Sequence, residues 1–140
     1  MADVHSKEVR SYNMSMIRGK DTKPEIMVRK FLFSKGLRYR LHDKRLSGKP
    51  DIVFPRYNTA VFIHGCFWHG HKDCIYCVIP KTRTEWWQNK IDLNKANDDK
   101  AVFKLISDGW NVIIVWECEL KSNTLEETLN SLYHKIVNLT

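Results

Sequence analysis

Hydrophobic and polar residues recur at a helical period in three parts of this chain. Each part begins with a Thr or Asn that is followed three residues later by Glu, a spacing typical of a capping box. Glycines at 36 and 109 are expected to end the first two helices, because glycine accepts the left-handed backbone of a helix end. The predicted helices therefore cover residues 22–35, 82–108 and 123–137.

Four short apolar runs lie between these helices and predict strands, at residues 37–41, 51–54, 59–63 and 111–116. A turn of about four residues joins the second and third runs, which predicts a hairpin with Asp51 close to Ile63 and His64. The fourth run is the most apolar and is predicted to be central in the sheet. A helix and a strand that follow a hairpin indicate an α/β fold, a mixed sheet flanked by helices.

The composition is that of a globular protein, with 140 residues, of which 43% are hydrophobic and 28% charged. We expect one domain over residues 1–140. The net charge of +7 favours a polyanionic partner such as a nucleic acid. We expect no signal peptide, and no apolar run comes near the roughly 20 residues of a membrane span. We therefore expect a cytoplasmic protein whose cysteines bind metal.

Residues 64–74 read His-Gly-Cys-Phe-Trp-His-Gly-His-Lys-Asp-Cys and carry most of the candidate chemistry. Zinc takes four nitrogen or sulfur ligands in a closed tetrahedral site, and such an ion would order a loop with few apolar anchors. Five residues are candidates: Cys66, His71, Cys74, Cys77 and Cys118. The Cys-x-x-Cys spacing favours Cys74 with Cys77 and leaves His71 optional, so the fourth ligand stays open.

A second group of residues indicates hydrolytic chemistry. Asp51 opens a strand directly after Pro50, at a sheet end where its carboxylate could hold magnesium. His64 and His69 could act as general base or acid near neutral pH, and Glu25 could add a second carboxylate. With a basic surface, this group predicts metal-assisted hydrolysis of a phosphodiester.

Aromatic and basic residues add candidate contacts to a nucleic acid. Phe67 and Trp68 lie on the loop, where they could wedge between bases. Trp86 and Trp87 are adjacent in a helix and point about 100° apart, so we expect one of them to pack in the core. Four basic residues could contact phosphates without reading sequence, namely Arg18, Lys20, Arg38 and Arg40.

Several motifs, spread over nearly the whole chain, resemble those of one family. They are Met-Ala-Asp-Val-His5, Arg10-Ser-Tyr-Asn-Met14, Asp21-Thr22 with Glu25, Gly48-Lys-Pro-Asp51, His64-Gly-Cys-Phe-Trp-His69, Thr82-Arg-Thr-Glu-Trp-Trp87, Gly109-Trp110 and Val115-Trp-Glu-Cys118. With these residues the chain resembles the very short patch repair (Vsr-type) DNA mismatch endonucleases.

The resemblance implies a restriction-endonuclease-like fold with magnesium in the active site and a structural zinc. It implies that one DNA strand is nicked on the 5′ side of the mispaired thymine in a T·G mismatch, the product of 5-methylcytosine deamination. Double-stranded DNA with such a mismatch is then the expected partner, together with other mismatch-repair proteins. A monomer suffices to nick one strand.

The resemblance also assigns roles. Asp51 is implied as the magnesium ligand and His69 as the base, with His64 and Glu25 in support. Ile63 stands where the family has threonine, and its backbone carbonyl is implied as a further magnesium ligand. The implied zinc ligands are Cys66, His71, Cys74 and Cys118. The implied DNA contacts are the intercalating Phe67, Trp68 and Trp87, and an N-terminal arm of residues 1–20 around Met14.

The zinc loop departs from the family pattern, because it has one extra residue before Cys74 and an additional thiol, Cys77, that could replace His71. Two rival classes also stay open. A zinc-containing DNA-binding protein would bind mismatched duplex without cleaving it. A restriction-type endonuclease would cut both strands of paired DNA.

Overall fold

The computed structural model describes residues 22–138, in which helices and strands follow the predicted order. The elements are α1 (Lys23–Ser34), β1 (Arg40–Leu41), β2 (Ile52–Phe54), β3 (Thr59–His64), α2 (Thr84–Ser107), β4 (Asn111–Trp116) and α3 (Leu125–Val137). Two short 3₁₀ helices follow β2 and β4, at Pro55–Tyr57 and Glu117–Leu120. The predictions for Met14, Arg18, Lys20 and the arm 1–20 fall outside the described residues.

The four strands form one mixed sheet in the order β1-β2-β3-β4. The hairpin is confirmed, since β2 and β3 are antiparallel with Ile52 opposite Val61. β4 runs parallel to β3, from Thr59 opposite Asn111 to His64 opposite Trp116, and α2 forms the crossover between them. The carboxyl ends of β3 and β4 therefore lie side by side.

The prediction that residues 111–116 form the central strand is wrong, because β4 lies at the edge of the sheet. Its apolar composition has another cause, namely that helices cover both of its faces. Ile113 and Val115 pack in one core cluster, whereas Val112 and Ile114 pack in the other. A strand covered on both faces is apolar throughout, whether it has one neighbouring strand or two.

The two clusters place the sheet between helices, as predicted. α1 and α3 cover one face, in a cluster that includes Val28, Phe54, Val61 and Ile136. Leu105 of α2 covers the other face, against Ala60 and Phe62. None of the helices within residues 22–138 combines the length and the apolar character needed to cross a membrane.

The beginning and end of α1 follow the sequence pattern. The Thr22 hydroxyl accepts a hydrogen bond from the backbone N–H of Glu25 at 3.4 Å. Gly36 ends the helix with a φ of 89°. The backbone N–H of Leu37 closes the helix by donating to Leu32, and for this reason the first strand is shorter than predicted.

The capping boxes predicted for α2 and α3 do not form. α2 begins at Thr84 without a side-chain cap, and the Thr84 hydroxyl donates to the carbonyls of Pro80 and Lys81. α3 begins at Leu125, and the hydroxyl of the preceding Thr124 donates to the carbonyl of Glu119. The predicted cap residues, Thr82 and Asn123, each lie one residue before the observed N-caps, Arg83 and Thr124, and neither N-cap side chain bonds to its helix.

Candidate active site and metal centre

A cleft of about 1190 Å³ lies between α1, the β2–β3 hairpin, the loop after β3 and the middle of α2. The sequence-predicted residues Glu25, Asp51, Ile63, His64, Trp68 and His69 all line it. Lys23, Lys30 and Lys49 line the same cleft and place positive charges beside its carboxylates. A cleft that combines carboxylates, imidazoles and lysines suits a phosphate-containing substrate.

Asp51 lies immediately before β2, where the hairpin brings it opposite the end of β3. Its Oδ2 accepts a hydrogen bond of 2.7 Å from the backbone N–H of Ile63. Gly48 allows the chain to enter this turn, because it has a φ of 74° and a Cβ there would lie 2.6 Å from that of Ala101. The structure thus places Asp51 beside Ile63, in contact through the amide; the metal-ligand role of the Ile63 carbonyl stays a prediction.

Glu25 is 1% exposed and lies on the same face of α1 as Val28 and Leu32. Its Oε2 is 3.0 Å from Nη1 of Arg29 and 3.1 Å from Nε2 of His42. The carboxylate therefore points into the protein and pairs there, whereas the capping-box pattern predicted that it would reach back to the helix start. In the sequence, Glu25 has the helical spacing of the buried residues Val28 and Leu32, and this pattern indicates that its carboxylate faces the protein interior.

Glu25, His42 and Asp51 form a group whose ligand atoms lie within 4.8 Å of one another, so that it could hold a metal ion. The sequence analysis missed His42. Its place depends on the pairing of β1 with β2, through which its backbone N–H donates to the Asp51 carbonyl at 3.1 Å. The spacing of residues along the chain does not show that β1 pairs with β2, so it could not predict the position of His42.

The pKa of Asp51 is raised from 3.8 to about 6. Burial is the main cause, since it disfavours the charged form, and the nearby Glu25 carboxylate adds to the effect. The hydrogen bond from Ile63 acts in the opposite direction. A cation placed at this carboxylate would relieve the cost of its charge.

His64 and His69 stack with their ring centroids 3.8 Å apart and their planes 3° from parallel. His64 is 4% exposed, and its Nδ1 is buried without a hydrogen-bond partner among residues 22–138. Burial, followed by the proximity of His69, lowers the pKa of His64 to about 3. His64 is therefore neutral at physiological pH.

His69 is held by Asp98, whose Oδ2 lies 2.6 Å from Nδ1 of the imidazole. An ionised carboxylate can only accept, so Nδ1 carries the hydrogen and Nε2 is left to bind or accept a proton. His69, His64 and Asp98 also form a group that could hold a metal ion. This arrangement suits His69 to act as a general base.

Asp98 is the second functional residue that the sequence analysis missed. It lies in α2 seven residues after Ile91 and seven before Leu105, and both of these are buried. Seven residues are nearly two helical turns, so the three side chains share one face. A carboxylate at the helical spacing of the buried residues Ile91 and Leu105 was the feature that could have identified it.

The cysteine and histidine cluster depends on the parallel strands. Cys66 and Cys118 each lie two residues beyond the paired His64 and Trp116. The ligand atoms of Cys66, His71, Cys74 and Cys118 lie within 4.8 Å of one another, and this group could hold a metal ion. Within the described part of the chain, Cys77 is not in the group.

Direct contacts hold this cluster together. Nδ1 of His71 lies 3.4 Å from Sγ of Cys118, and the His71 ring stacks on Trp116 at 4.1 Å. Burial raises the pKa of Cys66 to about 12. The pKa of Cys74 is lowered although burial opposes this, because backbone N–H groups and the two other thiols donate to its sulfur. A metal ion that binds here must displace thiol protons, so its affinity would fall with decreasing pH.

Four aromatic residues, Phe67, Trp68, Trp86 and Trp87, form what we call the aromatic wall. Trp87 lies at the centre, with its ring 5.4 Å from Phe67, 5.8 Å from Trp68 and 4.8 Å from Trp86. The prediction that one of the two tryptophans packs in the core is wrong, because neither is buried and Trp86 is 47% exposed. Trp87 packs against the loop aromatics Phe67 and Trp68, and Trp86 packs against Trp87.

Two predicted phosphate contacts lie away from the cleft. Arg38 and Arg40 are exposed and do not line it, and the Arg38 guanidinium lies over the Phe33 ring at 4.2 Å. Their contact with DNA stays a prediction. The three lysines of the cleft are closer to the candidate active site.

A mixed sheet flanked by helices, with carboxylates and imidazoles gathered in one cleft, agrees with the restriction-endonuclease-like fold expected from the sequence. The family model described as DNA mismatch endonuclease Vsr matches residues 2–75. The chain belongs to this Vsr family.

Relatives cover most of the chain. The type II nicking enzyme V.NmeAIP of Neisseria meningitidis is 50% identical over 137 residues, which are 97% of each chain. The type II nicking enzyme V.XorIIP of Xanthomonas oryzae is 46% identical over 133 residues, 94% of this chain and 97% of the relative. The DNA mismatch endonuclease Vsr of Escherichia coli is 45% identical over 121 residues, 86% of this chain and 77% of the relative.

We expect Asp51→Asn to stabilise the protein at pH 7.5 in buffer without magnesium. With a pKa of about 6 against 3.8, Asp51 holds its proton more tightly in the folded state. Its contribution to the free energy of unfolding therefore decreases as pH rises from about 4 to 6. Removing the charge should add on the order of 2 kcal/mol, measured by urea unfolding.

The control is Asp99→Asn, at an exposed position of the same helix as Asp98, which should change stability by less than about 0.5 kcal/mol. Added magnesium should reduce the difference between wild type and Asp51→Asn. An Asp51→Asn protein less stable than wild type at pH 7.5 would contradict the assignment of a costly buried charge.

Proposed function

We propose that this protein is a magnesium-dependent endonuclease that nicks one strand of double-stranded DNA on the 5′ side of the mispaired thymine in a T·G mismatch. Residues 1–140 would act as a single endonuclease domain, and as a monomer. The observation that carries the proposal is the cleft in which the Asp51 carboxylate, the Asp98-bound His69 and Trp68 of the aromatic wall meet. The names of the relatives, a mismatch endonuclease and nicking enzymes, support it.

The residues around Asp51 fit a divalent cation. Glu25 and Asp51 offer carboxylate oxygens, which magnesium prefers, and both are withdrawn from water. A magnesium ion bound there, with the Ile63 carbonyl as a further ligand, would stabilise the charge that develops on the scissile phosphate. Lys30 and Lys49, which line the same cleft, would bind neighbouring phosphates.

His69 is the proposed general base. Its Nε2 would take a proton from the water molecule that attacks the phosphate, and the imidazolium formed would be stabilised by Asp98 at 2.6 Å. His64 is neutral and stacked on His69, so it orients the ring without adding a second positive charge. Asp98 is thus a positioning residue, because it acts through His69.

The aromatic wall is the proposed means of opening the base stack. Phe67, Trp68 and Trp87 would insert beside the mismatch, where a mispaired step costs less to unstack than a paired one. Trp68 lines the cleft, and its carbonyl accepts a hydrogen bond of 2.9 Å from Asn94 of α2. The wedge is therefore anchored to a helix that also carries Asp98. The arm around Met14, Arg18 and Lys20 would add contacts to the DNA.

The Cys66–His71–Cys74–Cys118 group is the proposed zinc site, with a structural role. Three thiols and one imidazole in a group this small match the ligand set of tetrahedral zinc. The ion would join the loop to the end of β4, and would thereby hold His69 and the aromatic wall in place.

The proposed activity is tested with duplexes that contain a T·G mismatch or the matching C·G pair, each labelled on one strand or the other. We expect magnesium-dependent nicking of the thymine strand on the 5′ side of the T, and no product from the paired duplex. Binding without cleavage at any magnesium concentration would favour a zinc-containing DNA-binding protein. Cleavage of both strands in paired DNA would favour a restriction-type endonuclease.

Two variants test the roles in this reaction. Asp51→Ala should abolish nicking, because the metal loses its main ligand. Asp98→Asn should lower kcat roughly 10- to 100-fold, since the amide cannot stabilise the imidazolium, while KM changes little. Asp108→Asn, at an exposed end of α2, is the matched control.

We expect Trp68→Ala to weaken binding to the T·G duplex about 10- to 100-fold, because stacking on one base contributes roughly 1–3 kcal/mol. A 2-aminopurine placed beside the mismatch should become brighter on binding wild-type protein and much less so with the variant. Phe103→Ala, which removes a 74% exposed ring outside the cleft, should behave as wild type. Equal fluorescence changes with all three proteins would exclude Trp68 as a wedge.

The zinc ligands are tested with Cys74→Ser and Cys77→Ser, a pair three residues apart in the same loop. Cys74→Ser should lose the bound zinc and at least about 3 kcal/mol of unfolding free energy, because metal binding contributes to folding. Cys77→Ser should retain about one zinc per chain, measured by mass spectrometry of the metal. If Cys77→Ser lost its zinc and Cys74→Ser kept it, Cys77 and not Cys74 would be the zinc ligand.

A further inference from the structure

His42 lies where two strands bring it against the candidate metal site. It follows β1 directly, and β1 pairs with β2 so that Leu41 is opposite Ile52. The next pair in this ladder joins His42 to Asp51, through the bond of 3.1 Å from the His42 N–H to the Asp51 carbonyl. The two residues are therefore fixed relative to each other by the sheet.

The backbone of His42 has a φ of 51°, in the left-handed region that side-chain-bearing residues seldom occupy. Such a conformation persists only where the surrounding structure holds it, and it is enriched at functional sites. Here the bond to Asp51 holds it. This geometry accompanies an imidazole whose Nε2 is directed at the Glu25 carboxylate.

The distances suit a shared metal ion. Two ligands in adjacent octahedral positions, each about 2.1 Å from an ion, lie about 3.0 Å apart. Nε2 of His42 and Oε2 of Glu25 are separated by 3.1 Å, and the Asp51 oxygen lies within 4.8 Å of both. A simple ion pair is a weaker account of the contact, because Glu25 already has the permanent charge of Arg29 at 3.0 Å.

We propose that His42 is a third side-chain ligand of the catalytic metal ion, which completes a Glu25–His42–Asp51 site that favours Mn²⁺ over Mg²⁺ more strongly than carboxylates alone would. This proposal rests on the proposed function, because it assumes that the catalytic ion binds at Asp51. An imidazole nitrogen raises affinity for first-row transition metals, whereas magnesium prefers oxygen ligands. When magnesium binds instead, a water molecule can replace the imidazole at little cost.

The test measures Mn²⁺ and Mg²⁺ affinities of the zinc-loaded protein by calorimetry. His42→Asn should weaken Mn²⁺ binding roughly tenfold or more and Mg²⁺ binding less than about threefold. Asparagine is chosen because it accepts a left-handed backbone. His134→Asn, at an exposed histidine of α3, is the matched control. Equal changes for both ions, or none, would overturn the proposal.

Pulsed electron paramagnetic resonance of the Mn²⁺-loaded protein detects the ligand directly. Wild-type protein should show coupling of Mn²⁺ to a histidine nitrogen, and His42→Asn should lose it while retaining its zinc and its thermal transition. Coupling that is absent from wild type, or that persists in the variant, would overturn the proposal. The wild-type spectrum is decisive even if the variant does not fold.

Failure of the proposed function gives a different result. Mn²⁺ binding that survives Asp51→Asn would place the catalytic ion elsewhere and overturn both proposals. Binding that is lost in Asp51→Asn but unchanged in His42→Asn would overturn the role of His42 alone.

Discussion

The parallel pairing of β3 with β4 is the constraint on which the rest of the structure depends. It places the carboxyl ends of the two strands together, with His64 opposite Trp116. Two residues further along, Cys66 and Cys118 come within reach of one metal ion, and His64 is held at the inner wall of the cleft. One backbone register therefore positions the cysteine cluster and the candidate catalytic histidines together.

Carboxylates that are wholly or partly withdrawn from water are the second common feature: Glu25 is buried, whereas the Asp98 side chain is 26% exposed. Glu25 and Asp98 occupy positions where helical periodicity would place an apolar residue, and Asp51 is largely withdrawn from water. Each has a partner in the fold. Glu25 pairs with Arg29 and His42. Asp98 pairs with His69, and Asp51 accepts a hydrogen bond from the Ile63 amide. Burying charge in this way disfavours the folded state unless cations or donors compensate. These carboxylates therefore lower the free energy of unfolding, but they leave charged groups in position to bind a metal ion or a proton.

Some features of the structure are determined by short segments of the chain. The start of α1, the β2–β3 hairpin and the approach of Asp51 to Ile63 followed from spacing along short segments. The caps predicted at Thr82 and Asn123 were wrong, because α2 and α3 have their N-caps one residue later, at Arg83 and Thr124, without a side-chain hydrogen bond. The position of β4 failed because burial by helices on both faces produces the same apolar pattern as a central position.

The sequence by itself determined the order of helices and strands, the mixed sheet, and a loop rich in metal ligands, because these depend on residue type and on short-range periodicity. Only the tertiary structure decided that β4 is an edge strand, that Trp87 joins the loop aromatics, that His42 lies against Glu25 and Asp51, and that Asp98 lines the cleft. Each of these depends on which distant segments pack together. A pattern along the chain states which face of an element is buried, but it does not identify the partner that buries it.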